Sequence, residues 1–167
     1  MARRSMAMAA ALLGLGCGSV ELEQPSLCRT QLVDVSPPAG GASSSILDLD
    51  FEGLPFQDQP GANLEVHLTA LRAATPVGDF DGLTAVDCSI QPPAGSGLPE
   101  RHLATWAPGP TPPGASLDLA VGDGGDLGSY LRAGKATLLV VWSGTLPATP
   151  SVTVTLCTSV KLTADLF

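Results

Sequence analysis

Ser151–Leu162 places apolar side chains at alternate positions: Val152, Val154, Leu156, Val160 and Leu162 share one parity. A period of two is the mark of a strand with one face buried and one face wet, and a helix cannot satisfy it. The same rhythm recurs upstream. In Ile46–Glu52, Leu47, Leu49 and Phe51 alternate with Asp48, Asp50 and Glu52. In Asn63–Arg72, Leu64, Val66, Leu68 and Ala70 alternate with Glu65, His67 and Thr69. Leu27–Val35 reads as the first strand, with Val33 and Val35 on one face, and Leu83–Gln91 sets Val86, Cys88 and Ile90 together. Arg101–Trp106 sets Leu103 opposite His102, Ala104 and Trp106, and Leu117–Val121 is a further short strand. Ala136–Trp142 has neither alternation nor charge, so burial on both faces is expected, as in a central core strand.

Chain breakers fill the intervals. Pro37–Ser45, Gly53–Gly61, Pro76–Gly82, Pro92–Pro99, Ala107–Ala115 with its four prolines, and Leu146–Pro150 read as loops and turns. Gly18–Pro25 is polar and reads as a short tether. Asp126–Gly134 departs from the period. Asp126 suits an N-cap, Gly134 suits a C′ position, and Leu127, Tyr130 and Leu131 share a helical face. About eight strands with regular turns and one short crossover helix predict an all-β fold. The expected architecture is an antiparallel β-sandwich, jelly-roll or immunoglobulin-like. An outer-membrane barrel fits poorly. The parity of Phe167 would turn Asp165, Thr163 and Lys161 toward lipid, and one Tyr with two Trp cannot form two aromatic girdles.

The N-terminus, MARRSMAMAAALLGLGC, sets Arg3 and Arg4 before an apolar run, Met6–Leu15, that is too short to span a bilayer. Small residues follow at Gly14 and Gly16. Positive, apolar, then small is the order of a secretory leader. Cys17 directly after Gly16 resembles the lipobox of bacterial lipoproteins. That resemblance implies that Cys17 receives a diacylglyceryl group, becomes the new N-terminus and tethers the protein to a bilayer through its acyl chains. Gly14 and Gly16 also satisfy the small-x-small rule of ordinary signal peptidase, which would leave an unlipidated protein beginning at Cys17. The expected division is a signal peptide over 1–16, a lipidated N-terminus and tether over 17–26, and a β-sandwich over 27–167. The expected location is the bacterial cell envelope, with a secreted or periplasmic protein as the alternative.

Export brings an oxidising compartment, where disulfides form. With Cys17 lipidated, Cys28, Cys88 and Cys157 remain and one is left over; without lipidation, four cysteines allow two bridges in three connectivities. First and last strands often neighbour one another in sandwiches, so Cys28–Cys157 is the preferred bridge. Cys88, in line with Val86 and Ile90, reads as a small buried apolar residue. The chain carries 8 basic and 16 acidic residues, and losing Arg3 and Arg4 with the leader takes its net charge from −8 to −10. That balance argues against nucleic acid and against electrostatic docking on anionic lipid.

No G-x-S-x-G elbow or C-x-x-C pair is present, and only His67 and His102 offer an imidazole. Both read as ordinary strand histidines. Asp118, Asp123 and Asp126 cluster among Gly122, Gly124 and Gly125, and oxygen-rich loops of this kind suit calcium. Their plainer reading is turn formation and helix capping. Trp106, beside the proline loop, is the candidate stacking residue for a glycan or peptide, with a plug at the end of the sandwich as its other reading. Tyr130, Phe56 and Phe80 are further exposed-aromatic candidates, and Trp142 is expected in the core. The leading expectation is a non-catalytic binding or structural module of the envelope that needs no cofactor and contacts protein or glycan. A polysaccharide hydrolase using paired carboxylates and a calcium-dependent adhesion module are the alternatives.

Overall fold

The computed structural model describes residues 19–39, 42–49, 62–123, 126–133, 136–146 and 151–165. Residues 1–18, on which the expected leader and Cys17 fall, Asp50, Phe51, Glu52, Phe56, Gly134 and residues 147–150, where a turn is expected, lie outside them. In chain order the described elements are β1 (Ser19–Asp34), β2 (Ser36–Ala39), β3 (Ala42–Leu49), β4 (Ala62–Ala74) and β5 (Leu83–Gln91). They are followed by β6 (Arg101–Trp106), β7 (Ser116–Val121), α1 (Gly128–Arg132), β8 (Ala136–Gly144) and β9 (Ser151–Asp165).

The strands follow one another in the order β1-β9-β4-β7-β6-β5-β8-β3-β2, all antiparallel. With the short β2 set aside, the pairing is nested. First pairs with last in β1–β9, and then β3 pairs with β8, β4 with β7 and β5 with β6. A hairpin rolled up in this way is a jelly roll, and of the two sandwich types expected it is this one. The first sheet is β1-β9-β4-β7 and the second is β6-β5-β8-β3-β2.

The sheets join at two corners. β7 pairs with β4 through Ser116–Leu119 and with β6 through Ala120 and Val121, so a single strand changes sheets. At the opposite side β1 runs through Val35 into β2, which pairs only with the start of β3.

The alternation seen in the sequence sorts the core. Val152, Val154, Leu156, Val160 and Leu162 of β9 face Val86, Cys88, Ile90, Leu138 and Val140 as one buried cluster. Burying a side chain of this size contributes about 1.5–3 kcal/mol. Trp142 stacks on Phe80 with ring centroids 6.1 Å apart, and its indole Nε1 donates to Ser45 Oγ at 3.0 Å. Phe80 is thus fully buried, contrary to the expectation of an exposed ring.

The helix forms where expected but has a different cap. Leu127 occupies the N-cap position without a side-chain bond. Asp126 stands one residue earlier, and its Oδ1 accepts from the Gly128 amide at 2.8 Å and the Val66 amide at 2.7 Å. The Leu127 amide in turn donates to the Val66 carbonyl. β7 pairs with β4 only from Leu71 onward, and this turn satisfies the Val66 amide and carbonyl on the β4 edge that β7 leaves bare. The approach requires a glycine, because a Cβ on Gly128 would overlap the Leu64 carbonyl.

Five further expectations need correction. Ser19–Ser26 is the first half of β1, in register with β9, not a tether. Its residues are exposed, Val20 and Leu22 among them, and the alternation of these two with Glu21 and Glu23 is too short, with Pro25 after it, to set the segment apart from a linker. Pro37–Ser45 contributes β2 and the start of β3, with Ser43 and Ser45 buried, because small hydroxyl residues fit under Trp142. Ala70 faces outward and Leu71 inward, since the β4–β9 register shifts between Leu68 and Ala70 and the parity flips. Leu103 and Ala104 are both buried, because β6 carries an extra residue opposite the Cys88–Ser89 step. In β8 only Ala136, Leu138, Val140 and Trp142 are buried, while Thr137, Leu139 and Val141 are half-exposed on the outer face of the second sheet.

Candidate functional site

The expected disulfide is present. Cys28 and Cys157 lie directly opposite one another in the β1–β9 ladder and are bonded, with Cα atoms 4.0 Å apart. Cys88 is a buried free thiol, and burial pushes its pKa up to about 12, so it stays protonated and inert.

The three aspartates considered for calcium are not brought together as a ligand set. Asp118 receives Arg72 through two bonds, Nε to Oδ1 at 2.6 Å and Nη2 to Oδ2 at 2.9 Å. The guanidinium holds the Asp118 carboxyl below the usual carboxylate range, and Arg72 is raised in return. Asp126 is committed to two backbone amides, and Asp123 is exposed beyond the end of β7. Among the described residues no group of three His, Cys, Asp or Glu side chains is placed to hold a metal ion. Trp106 ends β6 opposite Val86, half-buried against the core. Tyr130 is buried, with its hydroxyl donating to the Pro99 carbonyl at 2.8 Å and the Arg101 guanidinium 5.7 Å from its ring.

His67 is exposed on β4, opposite Ser159. His102 is exposed on β6, with Nε2 3.4 Å from Asp87 Oδ1, which also accepts from Thr105 Oγ1 at 3.2 Å. Ser89 is the cross-strand partner of His102, but its hydroxyl donates to Glu100 Oε1 at 2.6 Å. Serine, histidine and aspartate are neighbours here without the nucleophile-to-base bond that acyl-transfer chemistry requires.

A site that sequence reasoning missed lies at the β1/β3 side. β2 reaches only Ala42 and Ser44 of β3, so Ile46–Leu49 is paired with β8 alone, and β1 is paired with β9 alone. The two strand edges leave a groove of about 300 Å³ between the sheets. Its walls are Arg29, Thr30 and Gln31 of β1 and Leu47, Asp48 and Leu49 of β3; Leu138, Val154 and Leu156 form its floor. An apolar floor under a few polar groups is the usual composition of a ligand cleft. Arg29 and Gln31 sit opposite Leu156 and Val154, both inward-facing, so they share the inner face with Val33. A signal was therefore legible. A charged and an amide side chain on the parity of Val33 mark a place where the inner face meets water.

No protein-family model matches the chain, and no curated protein matches it.

Proposed function

We propose that this chain is an exported, lipid-anchored jelly roll that binds a ligand without transforming it, and that the β1/β3 groove is where the ligand sits. The groove carries this reading: it combines an apolar floor with polar walls, whereas the Ser89–His102–Asp87 neighbourhood lacks a nucleophile-to-base bond. The leader and the cysteine after it supply the address. With Cys17 acylated, only Gly18 separates the lipid from Ser19, where β1 begins. Two residues reach about 7 Å at most, so that end of β1 would stand against the bilayer with no slack.

The test has two arms. Intact mass of membrane-extracted protein reports the fate of Cys17, and diacylglyceryl mass on a chain starting there is expected. A panel of short peptides and glycans is then screened by thermal shift against wild type and Gln31→Trp, which sets an indole over the groove. A ligand that stabilises wild type and not the variant supports the reading. Equal shifts for both would move the binding site elsewhere.

A further inference from the structure

We propose that the Cys28–Cys157 bond is a redox latch: its reduction releases β1 from β9, and one wall of the groove with it, while the rest of the jelly roll stays folded. The coupling to ligand binding rests on the groove being the ligand site; the release of β1 does not.

β1 has little hold on the core. Of its sixteen residues only Val33 is buried and only Leu27 is half-buried. Beyond the backbone ladder, three of the described side-chain contacts from β1 to β9 are exposed, Glu21 with Lys161 at 3.1 Å, Thr30 with Thr155 at 3.0 Å and Asp34 with Ser151 at 3.1 Å, and a fourth, the Thr158 hydroxyl donating to the Leu27 carbonyl at 3.4 Å, is part-buried. The ladder itself is interrupted between Gln24 and Leu27, immediately before Cys28. β9, by contrast, does not depend on β1, because its other edge is paired with β4 from Ala62 to Ala74 and its inward side chains are buried. Removing β1 leaves an eight-strand order with β9 at its edge. Val33 and Val35 are buried, so the released strand stays attached at its C-terminal end and can return.

The bond is also accessible. It lies on the outer face of the first sheet, Cys28 is exposed, and Arg29, the next residue, is part of the groove wall. A dithiol is the reductant class this chemistry takes. One of its thiolates attacks a sulfur of the bridge, forming a mixed disulfide and releasing the other cysteine. Its second thiol then displaces the remaining cysteine. Two electrons and two protons end on Cys28 and Cys157, and the reductant leaves as a cyclic disulfide. Cys88 is buried and takes no part.

Hydrogen exchange read by mass spectrometry on the mature protein, with and without dithiothreitol, tests the latch. In the reduced protein the amides of residues 19–32 should lose at least tenfold in protection while β5, β8 and α1 keep theirs, and Cys28→Ser should reproduce this without reductant. Unchanged protection in β1 would overturn the proposal. So would a loss spread evenly over every strand, which would make the bond a general staple. Anilinonaphthalene sulfonate fluorescence on the same samples separates the two readings. A change on reduction that Gln31→Trp removes ties release to the groove, whereas release with unaltered dye signal overturns the coupling and leaves the latch intact.

Discussion

The two sides on which the sheets meet are built from opposite materials. At the β7 side one strand serves both sheets, and its inward residues, Leu117 and Leu119, are buried. The edge of β4 that β7 leaves bare is finished by Asp126 and Leu127. At the β1 side the inward positions hold Arg29 and Gln31, the two edges stay apart, and Leu32 and Ile46 are more than 60% exposed. A rolled hairpin can close both sides with apolar strands. Here only one is closed in that way; on the other, the edge strand β1 is bonded covalently to β9, its neighbour within the first sheet, and not to β3.

The contrast can be broken by removing the apolar closure. Leu119→Ala on the closed side should cost about 2–5 kcal/mol in urea denaturation, through lost burial and the cavity left behind. Asp126→Ala comes next, because it strands two backbone amides at the covered β4 edge, at a cost of about 1–3 kcal/mol. On the open side the same measurement should find almost nothing. Gln31→Ala and Leu32→Ala should each stay within about 0.5 kcal/mol of wild type. A Gln31→Ala cost comparable to that of Leu119→Ala would show that the β1 wall is packed as a core is.

The smallest effect belongs to Arg72 and Asp118, which join β4 to β7 on the outer surface with both side chains more than half exposed. Because the Asp118 carboxyl is held below its ordinary value, its contribution is present above the unfolded carboxylate pKa of about 3.9. It is lost as the pH falls through the lowered native value. Asp118→Asn should therefore flatten the acid side of the melting profile slightly, and added salt should weaken the same contribution in the wild type.

Much of the fold was legible because burial imposes a period. β5 and β6 have the bounds expected of them, and β9 shows the inward face that its valines and leucines announced. Legibility failed where that period has no hold. The first half of β1 is exposed throughout, and its apolar alternation is only two side chains long, Val20 and Leu22 set between glutamates ahead of Pro25. At Thr69 and Leu103 an extra residue reverses the parity, and nothing local in the sequence marks the insertion. The disulfide was legible from the pairing of first and last strands together with the place of Cys88 on the apolar face of its own strand. The groove was not, because it depends on how far β1 and β3 stand apart, which is a property of the rolled chain and not of either segment. Arg29 and Gln31 on the parity of Val33 were the trace it left.

Amide chemical-shift mapping by NMR, with a fragment and short-peptide library titrated into the protein, tests the proposed ligand site most directly. Perturbations concentrated at residues 29–31 and 47–49, and at Leu138, Val154 and Leu156, are the predicted result. Perturbations centred on Trp106, or on Asp87, Ser89 and His102, with the β1 and β3 edges silent, would contradict it.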